Sequence, residues 1–265
     1  MADADVLARI AAARPRVAAE LERPHAEEAL LAGVVLDLLV AGALDPLPAA
    51  LGCDGRYERC VLWGADPETG AEDLTLAAAL HAVAPGAGRA ALLEAEPDLV
   101  VVTEDSVVAV DATVGRPGHA AARARRGEPV PPRLLDGVQQ ALERHGVRLS
   151  PADVAMAYAP ARLAAVTLAL ANALGRRAVT VALAGRAVDL LRPDRDDARA
   201  WSDAAAVVLR AAGTAPLQVR ALSWLQVADR LAADPRTAAA VARIRSHPTL
   251  APGRGKPRGN AGDGA

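Results

Sequence analysis

The residues best placed to do chemistry are two aspartates, Asp98 and Asp111, near the ends of the segment Pro97-Asp-Leu-Val-Val-Val-Thr-Glu-Asp-Ser-Val-Val-Ala-Val-Asp-Ala-Thr113. Two β-branched runs there flank a short polar turn, Thr103-Glu104-Asp105-Ser106, and this pattern predicts a β-hairpin. If the turn centres between Glu104 and Asp105, Asp98 falls directly across from Asp111. Opposed residues of a hairpin share a face, with Cβ atoms roughly 4.5–5.5 Å apart. Two carboxylates so placed repel, and desolvation deepens the repulsion. A divalent cation reverses the sign, because hard cations prefer carboxylate oxygens. Asp98 and Asp111 are therefore candidate metal ligands. The competing reading is structural: Asp98 follows Pro97 where a strand starts, and Asp111 ends a strand before the loop at Gly115. A slip of one residue in register would send the two carboxylates to opposite faces and remove the site.

The hairpin that must position them is apolar on both faces, with Leu99, Val101, Val108 and Val110 on one and Val100, Val102, Val107 and Ala109 on the other. That is the pattern of an interior strand pair covered by other elements on both sides. Apolar spacing predicts helices over 3–22 and 26–43, separated by Pro24 and closed by Asp45-Pro46, and then a strand over 56–63. A helix from Glu72 to Val83 stops at Pro85-Gly86, and the hairpin follows. Residues 115–132 read as a loop and 133–145 as a helix. Ser150 and Pro151 open a further helix that runs to Leu174 and stops at Gly175. Strands are expected at 178–183, 187–191 and 217–222, with helices at 196–212 and 224–233. The order is that of a mixed α/β sandwich. Three regions are expected: a helical N-terminal segment over 1–64, a core over 65–250 and a disordered tail over 251–265.

With 265 residues, 52% of them hydrophobic, the chain can bury a sizeable core. It has no Phe and is only 2% aromatic, so that core must be built from Leu, Val and Ala. A net charge of −2 provides no general nucleic-acid coat, and any such contact requires a local basic patch. One exists in sequence: Arg116, Arg123, Arg125, Arg126 and Arg133 follow the hairpin with Glu128 as the one acid among them. Arginine is a good bidentate partner for phosphate, although a solvated loop explains the run equally well. Cys53 and Cys60 form neither a zinc site nor a disulfide framework. The N-terminus lacks the basic region of a signal peptide, and the most apolar run, 29–44, is interrupted by Asp37. A cytoplasmic protein without membrane contact is expected. Walker, nucleophile-elbow and dinucleotide motifs are missing from the sequence, and the five histidines are scattered. The alanine-rich helices can serve either as core or as a homodimer surface.

Pro97-Asp98, a hairpin, and then Asp111-Ala112-Thr113 resemble the PD-(D/E)xK signature of restriction-endonuclease-like nucleases. In that family an acid on the preceding helix, the PD aspartate and the second acid bind Mg²⁺. The resemblance implies Glu72, Asp98 and Asp111 as ligands of Mg²⁺ or Mn²⁺, with Asp73 competing with Glu72, although acids also favour helix N-termini for electrostatic reasons. Tyr158 and Arg162 resemble the Tyr-x-x-x-Arg of the family's following helix. The segments 178–183 and 217–224 resemble its late strand–Trp–helix ending. The likeness covers residues 72–233 and implies a restriction-endonuclease-like mixed central sheet flanked by helices.

Asp98, Asp111 and Thr113 then take the catalytic positions, with Thr113 where the family has lysine. Threonine carries no charge and cannot replace lysine electrostatically. Lys256 is the only lysine in the chain and lies in the expected tail. Arg116 or Arg162 would be left to clamp a phosphate, and metal-bound water to act as nucleophile. Two functions are expected from this: Mg²⁺-dependent hydrolysis of nucleic-acid phosphodiesters, with DNA favoured, or a non-catalytic nucleic-acid- or protein-binding module that keeps the fold.

Overall fold

A computed structural model of the chain describes residues 27–86, 95–112, 130–184, 205–213 and 215–248, together with Ala8, Ala12, Leu92 and Leu250. The expected strand at 187–191, the tail over 251–265, and almost all of the expected helix over 3–22 lie outside these residues.

Helix α1 (Glu27–Val40) and the short α2 (Leu47–Ala50) precede strand β1 (Tyr57–Leu62). Helix α3 (Leu74–Val83) leads into the hairpin, β2 (Leu99–Thr103) and β3 (Ser106–Ala112). Three helices follow, α4 (Pro132–Arg144), α5 (Pro151–Met156) and α6 (Tyr158–Leu174). Then come β4 (Arg177–Ala184), β5 (Leu217–Ser223), α7 (Trp224–Leu231) and α8 (Ala238–Ser246). The strands form one sheet in the order β1-β2-β3-β4-β5. β1, β2 and β3 pair antiparallel, whereas β3, β4 and β5 pair parallel. The α/β class and the mixed sheet flanked by helices match the expectation. So does the two-sided cover of the hairpin, since every residue of β2 is buried.

The alternation of side chains along each strand separates two cores. Leu99, Val101, Val108 and Val110 join Val179, Val181 and Leu222 against residues of α1, α2, α7 and α8. Val100, Val102, Val107 and Ala109 face the other way, against residues of α3, α4 and α6. Helix α6 is the spine of the second layer. Eleven of its residues from Pro160 to Ala171 are buried, so most of its alanines serve as core. Among the described residues, no helix is long and apolar enough to cross a membrane.

Two departures from the sequence reading have plain causes. The helix expected to run unbroken to Leu174 is interrupted at Ala157 (φ −103°, ψ 28°). Pro160 has no N–H to donate to the carbonyl of Met156 and its ring crowds that carbonyl, so the helix breaks and restarts. In addition, β1 is the edge strand of the same sheet, and α1 packs into the same core as β3, β4 and α7. Residues 27–64 are thus structurally continuous with the rest of the domain. Helix α8, which packs on α1, had no counterpart in the sequence reading.

Candidate functional site

The hairpin register follows the predicted turn: Leu99 pairs with Val110, Val100 with Ala109, Val101 with Val108 and Val102 with Val107. The turn is held by side chains, with the Thr103 hydroxyl 2.9 Å from the Ser106 hydroxyl and accepting the Ser106 N–H at 2.9 Å. The regular ladder ends at Leu99 and Val110, so Asp98 and Asp111 lie at the same end of the pair, and alternation with Val107 and Ala109 puts Asp111 on the α6 side of the sheet.

The ladder changes at Asp98. Its N–H donates to the carbonyl of Val110, the residue already paired with Leu99, at 3.0 Å, while its own carbonyl accepts the Trp63 N–H at 3.1 Å. Asp98 and Leu99 against the single Val110 of β3 make a bulge-like step, a device that re-aims a side chain at the end of a ladder. The side chain is used at once: Oδ2 of Asp98 accepts the backbone N–H of Ala112 at 2.7 Å. Asp98 therefore closes the hairpin in place of a backbone carbonyl.

Asp111 is engaged differently. Its Oδ2 accepts from Nη2 of Arg162 at 2.5 Å, and the Arg162 side chain is 8% exposed against 27% for Asp111. The other terminal nitrogen of Arg162, Nη1, donates to the carbonyls of Ala95 (2.7 Å) and Glu96 (3.2 Å). A guanidinium keeps its charge at any relevant pH, so a buried one requires a carboxylate and several acceptors. Helix α6 brings that cation beside the end of β3 and ties it to the segment leading into β2.

Glu72 is exposed and bridges to Ala65 in an extended segment. The N-cap of α3 is instead Asp73, whose carboxylate accepts the Leu76 N–H at 2.8 Å and pairs with Arg59 of β1. This is the ordinary capping use of an aspartate. Thr113, Arg116, Arg123, Arg125 and Arg126 lie outside the described residues. Tyr158 packs on the core shared by α3, α4 and α6. Trp224, the first residue of α7, is 1% exposed and fills the opposite core, so the strand–Trp–helix pattern is real and serves packing.

Mg²⁺ or Mn²⁺ would need several carboxylate oxygens turned toward one point. Here one oxygen of Asp98 is turned to a backbone amide and one of Asp111 to an arginine, and Glu72 stands exposed on a separate bridge. Among the described residues, no group of three or more His, Cys, Asp or Glu side chains is arranged to hold a metal ion.

Sequence reasoning passed over Trp63 as a plain strand residue. It has φ 48°, is 3% exposed, and its indole Nε1 is buried with no hydrogen-bond partner. A left-handed, unsatisfied tryptophan beside Asp98 is a local strain of the kind that collects at functional edges. Its sequence signal was slight, a bulky residue followed by Gly64 at the end of a strand.

Comparison of the chain with protein-family models, with curated proteins and with solved structures gave no significant match.

Proposed function

We propose that this chain is a restriction-endonuclease-like protein whose carboxylate edge is neutralised by an arginine instead of a metal, and that it works as a non-catalytic nucleic-acid-binding module. The observation that carries this reading is the 2.5 Å contact between Arg162 and Asp111. A cation fixed by the protein already supplies the charge that a divalent ion would bring to Asp111. The absence of lysine from every position except 256 points the same way. The hairpin order, the pairing of β3 with β4 and the α6 arginine support the fold assignment. Nucleic acid, with DNA favoured, is suggested by the arginine run that follows β3. A cytoplasmic setting accords with the free thiols of Cys53 and Cys60.

The second reading is a Mg²⁺-dependent nuclease, favoured by the register that brings Asp98 and Asp111 to one end of the hairpin. One experiment separates the two. Purified protein is incubated with supercoiled plasmid in Mg²⁺, in Mn²⁺ or in EDTA, and binding to a short duplex is measured in parallel. The module reading expects intact plasmid in all three, with salt-sensitive binding that EDTA leaves unchanged. Metal-dependent cleavage that Asp111→Asn abolishes would establish the nuclease instead. Failure to bind any duplex would remove the nucleic-acid partner.

A further inference from the structure

Several arginines of the described surface are neutralised in place. Arg236 pairs with Asp45 and Asp234, Arg243 with Asp37, Arg245 with Asp229 and Arg176 with Glu58. Arg220 and Arg230 differ and stand together at the turn that follows α2. A Cβ added at Gly52 would lie 2.6 Å from Nη1 of Arg220 and 3.0 Å from Nη1 of Arg230, so two guanidinium groups converge on one point above this glycine. Each is held by a single neutral acceptor: Arg220 donates through Nη2 to Oε1 of Gln218 at 2.7 Å, and Arg230 through Nη1 to the carbonyl of Ala50 at 3.1 Å. No carboxylate among the described residues pairs with either. The positive charge is felt nearby: the buried Cys53 thiol, pushed up by desolvation, is pulled back first by Arg220, with Asp54 opposing it.

Like charges do not converge without cost. Orienting two guanidinium forks toward one point while leaving donors unused suits a ligand with several oxyanion acceptors. Gly52 supplies the floor. Its φ of +77° favours glycine, and the missing Cβ lets both guanidinium groups pack down against its backbone. By strand alternation Arg220 shares the sheet face of Leu222, opposite to that of Asp111 and its Arg162 partner. We propose that Arg220 and Arg230 form a phosphoryl-binding site over Gly52 that is separate from the Asp98–Asp111 edge. This inference does not depend on the proposed function.

The phosphoryl group can belong to a small phosphorylated molecule or to a nucleic-acid backbone, and the test distinguishes them. Inorganic phosphate is titrated calorimetrically into the full-length protein, and a fluorescein-labelled oligonucleotide without terminal phosphates is followed by anisotropy. Arg220→Gln, Arg230→Gln and, as an exposed control, Arg148→Gln are measured beside the wild type, with circular dichroism confirming the fold. The site requires saturable binding of at least one probe, weakened at least tenfold in Arg220→Gln and in Arg230→Gln but not in Arg148→Gln. Binding of phosphate assigns a small ligand; binding of the oligonucleotide alone assigns a phosphodiester backbone. Failure of both probes, or binding equal in all four proteins, overturns the site. An oligonucleotide bound equally by all four would leave the nucleic-acid module standing and remove only this site.

Discussion

Nη2 of Arg162 lies 2.5 Å from Oδ2 of Asp111 and fastens the central helix α6 to the end of β3. The pair joins residues 51 positions apart in the chain. The same arginine also holds the carbonyls of Ala95 and Glu96, so a single side chain connects the α6 layer, the last turn of β3 and the approach to β2.

Removal of one partner of this pair should destabilise the fold by about 3–5 kcal/mol, because a buried charge is then left uncompensated. Asp111→Ala should cost more than Arg162→Ala, since the arginine is the more deeply buried of the two. The double variant Arg162→Met/Asp111→Leu should be more stable than either single alanine variant. Urea denaturation of the four proteins measures the coupling directly. Additive losses would mean that the pair is not a unit.

Asp98 accepts the Ala112 N–H through Oδ2, and this hydrogen bond is expected to stabilise the end of the hairpin. Asp98→Asn keeps an acceptor oxygen and should retain more stability than Asp98→Ala. Asp98→Ala strands the Ala112 N–H and should cost about 1–3 kcal/mol. Equal losses in the two variants, read from denaturation midpoints, would contradict this role.

Gly137 lies on α4, where an exposed Gly→Ala change normally stabilises a helix by about 1 kcal/mol. Here a Cβ would come to 2.3 Å from the Val83 carbonyl at the end of α3. Backbone cannot move aside cheaply, so Gly137→Ala should destabilise by about 1–3 kcal/mol. A raised melting temperature would show that α3 and α4 are packed less closely.

His145 follows α4 and is half-buried; burial first, and Arg144 second, pull its pKa below the ordinary 6.5. The unfolded chain therefore takes up the proton before the folded one does. The stability tied to neutral His145 is complete above pH 6.5 and is lost as pH falls through that value toward the lower folded pKa. Thermal unfolding between pH 8 and pH 5 should show this loss, and His145→Gln should reduce it.

Much of the positioning was legible because it is local. The β-branched runs around Thr103-Glu104-Asp105-Ser106 set the hairpin and its register, since turn placement and a period of two leave little choice. Ser150 with Asp153 forms the capping box that opens α5, and Gly175 takes the left-handed conformation that closes α6. Pro160 was equally local, and its consequence for the helix follows from its missing N–H. Helix α8 was not legible, because Ala240, Val241 and Ile244 make a thin apolar stripe that forms a helix face only when α1 is there to cover it.

The same division runs through the candidate site. Sequence by itself determined that Asp98 and Asp111 end a buried hairpin together, because strand periodicity acts over neighbouring residues. It also put Arg162 on a following helix, which leaves open whether that arginine faces solvent, a phosphate or a carboxylate. Only the tertiary structure decided that, by laying α6 across the sheet so that the buried guanidinium must take Asp111 as its counter-charge. Likewise, Arg220 and Arg230 are unremarkable in β5 and α7 until the sheet and α2 bring them over Gly52. Charge partners are chosen through space, and sequence distance carries no information about them.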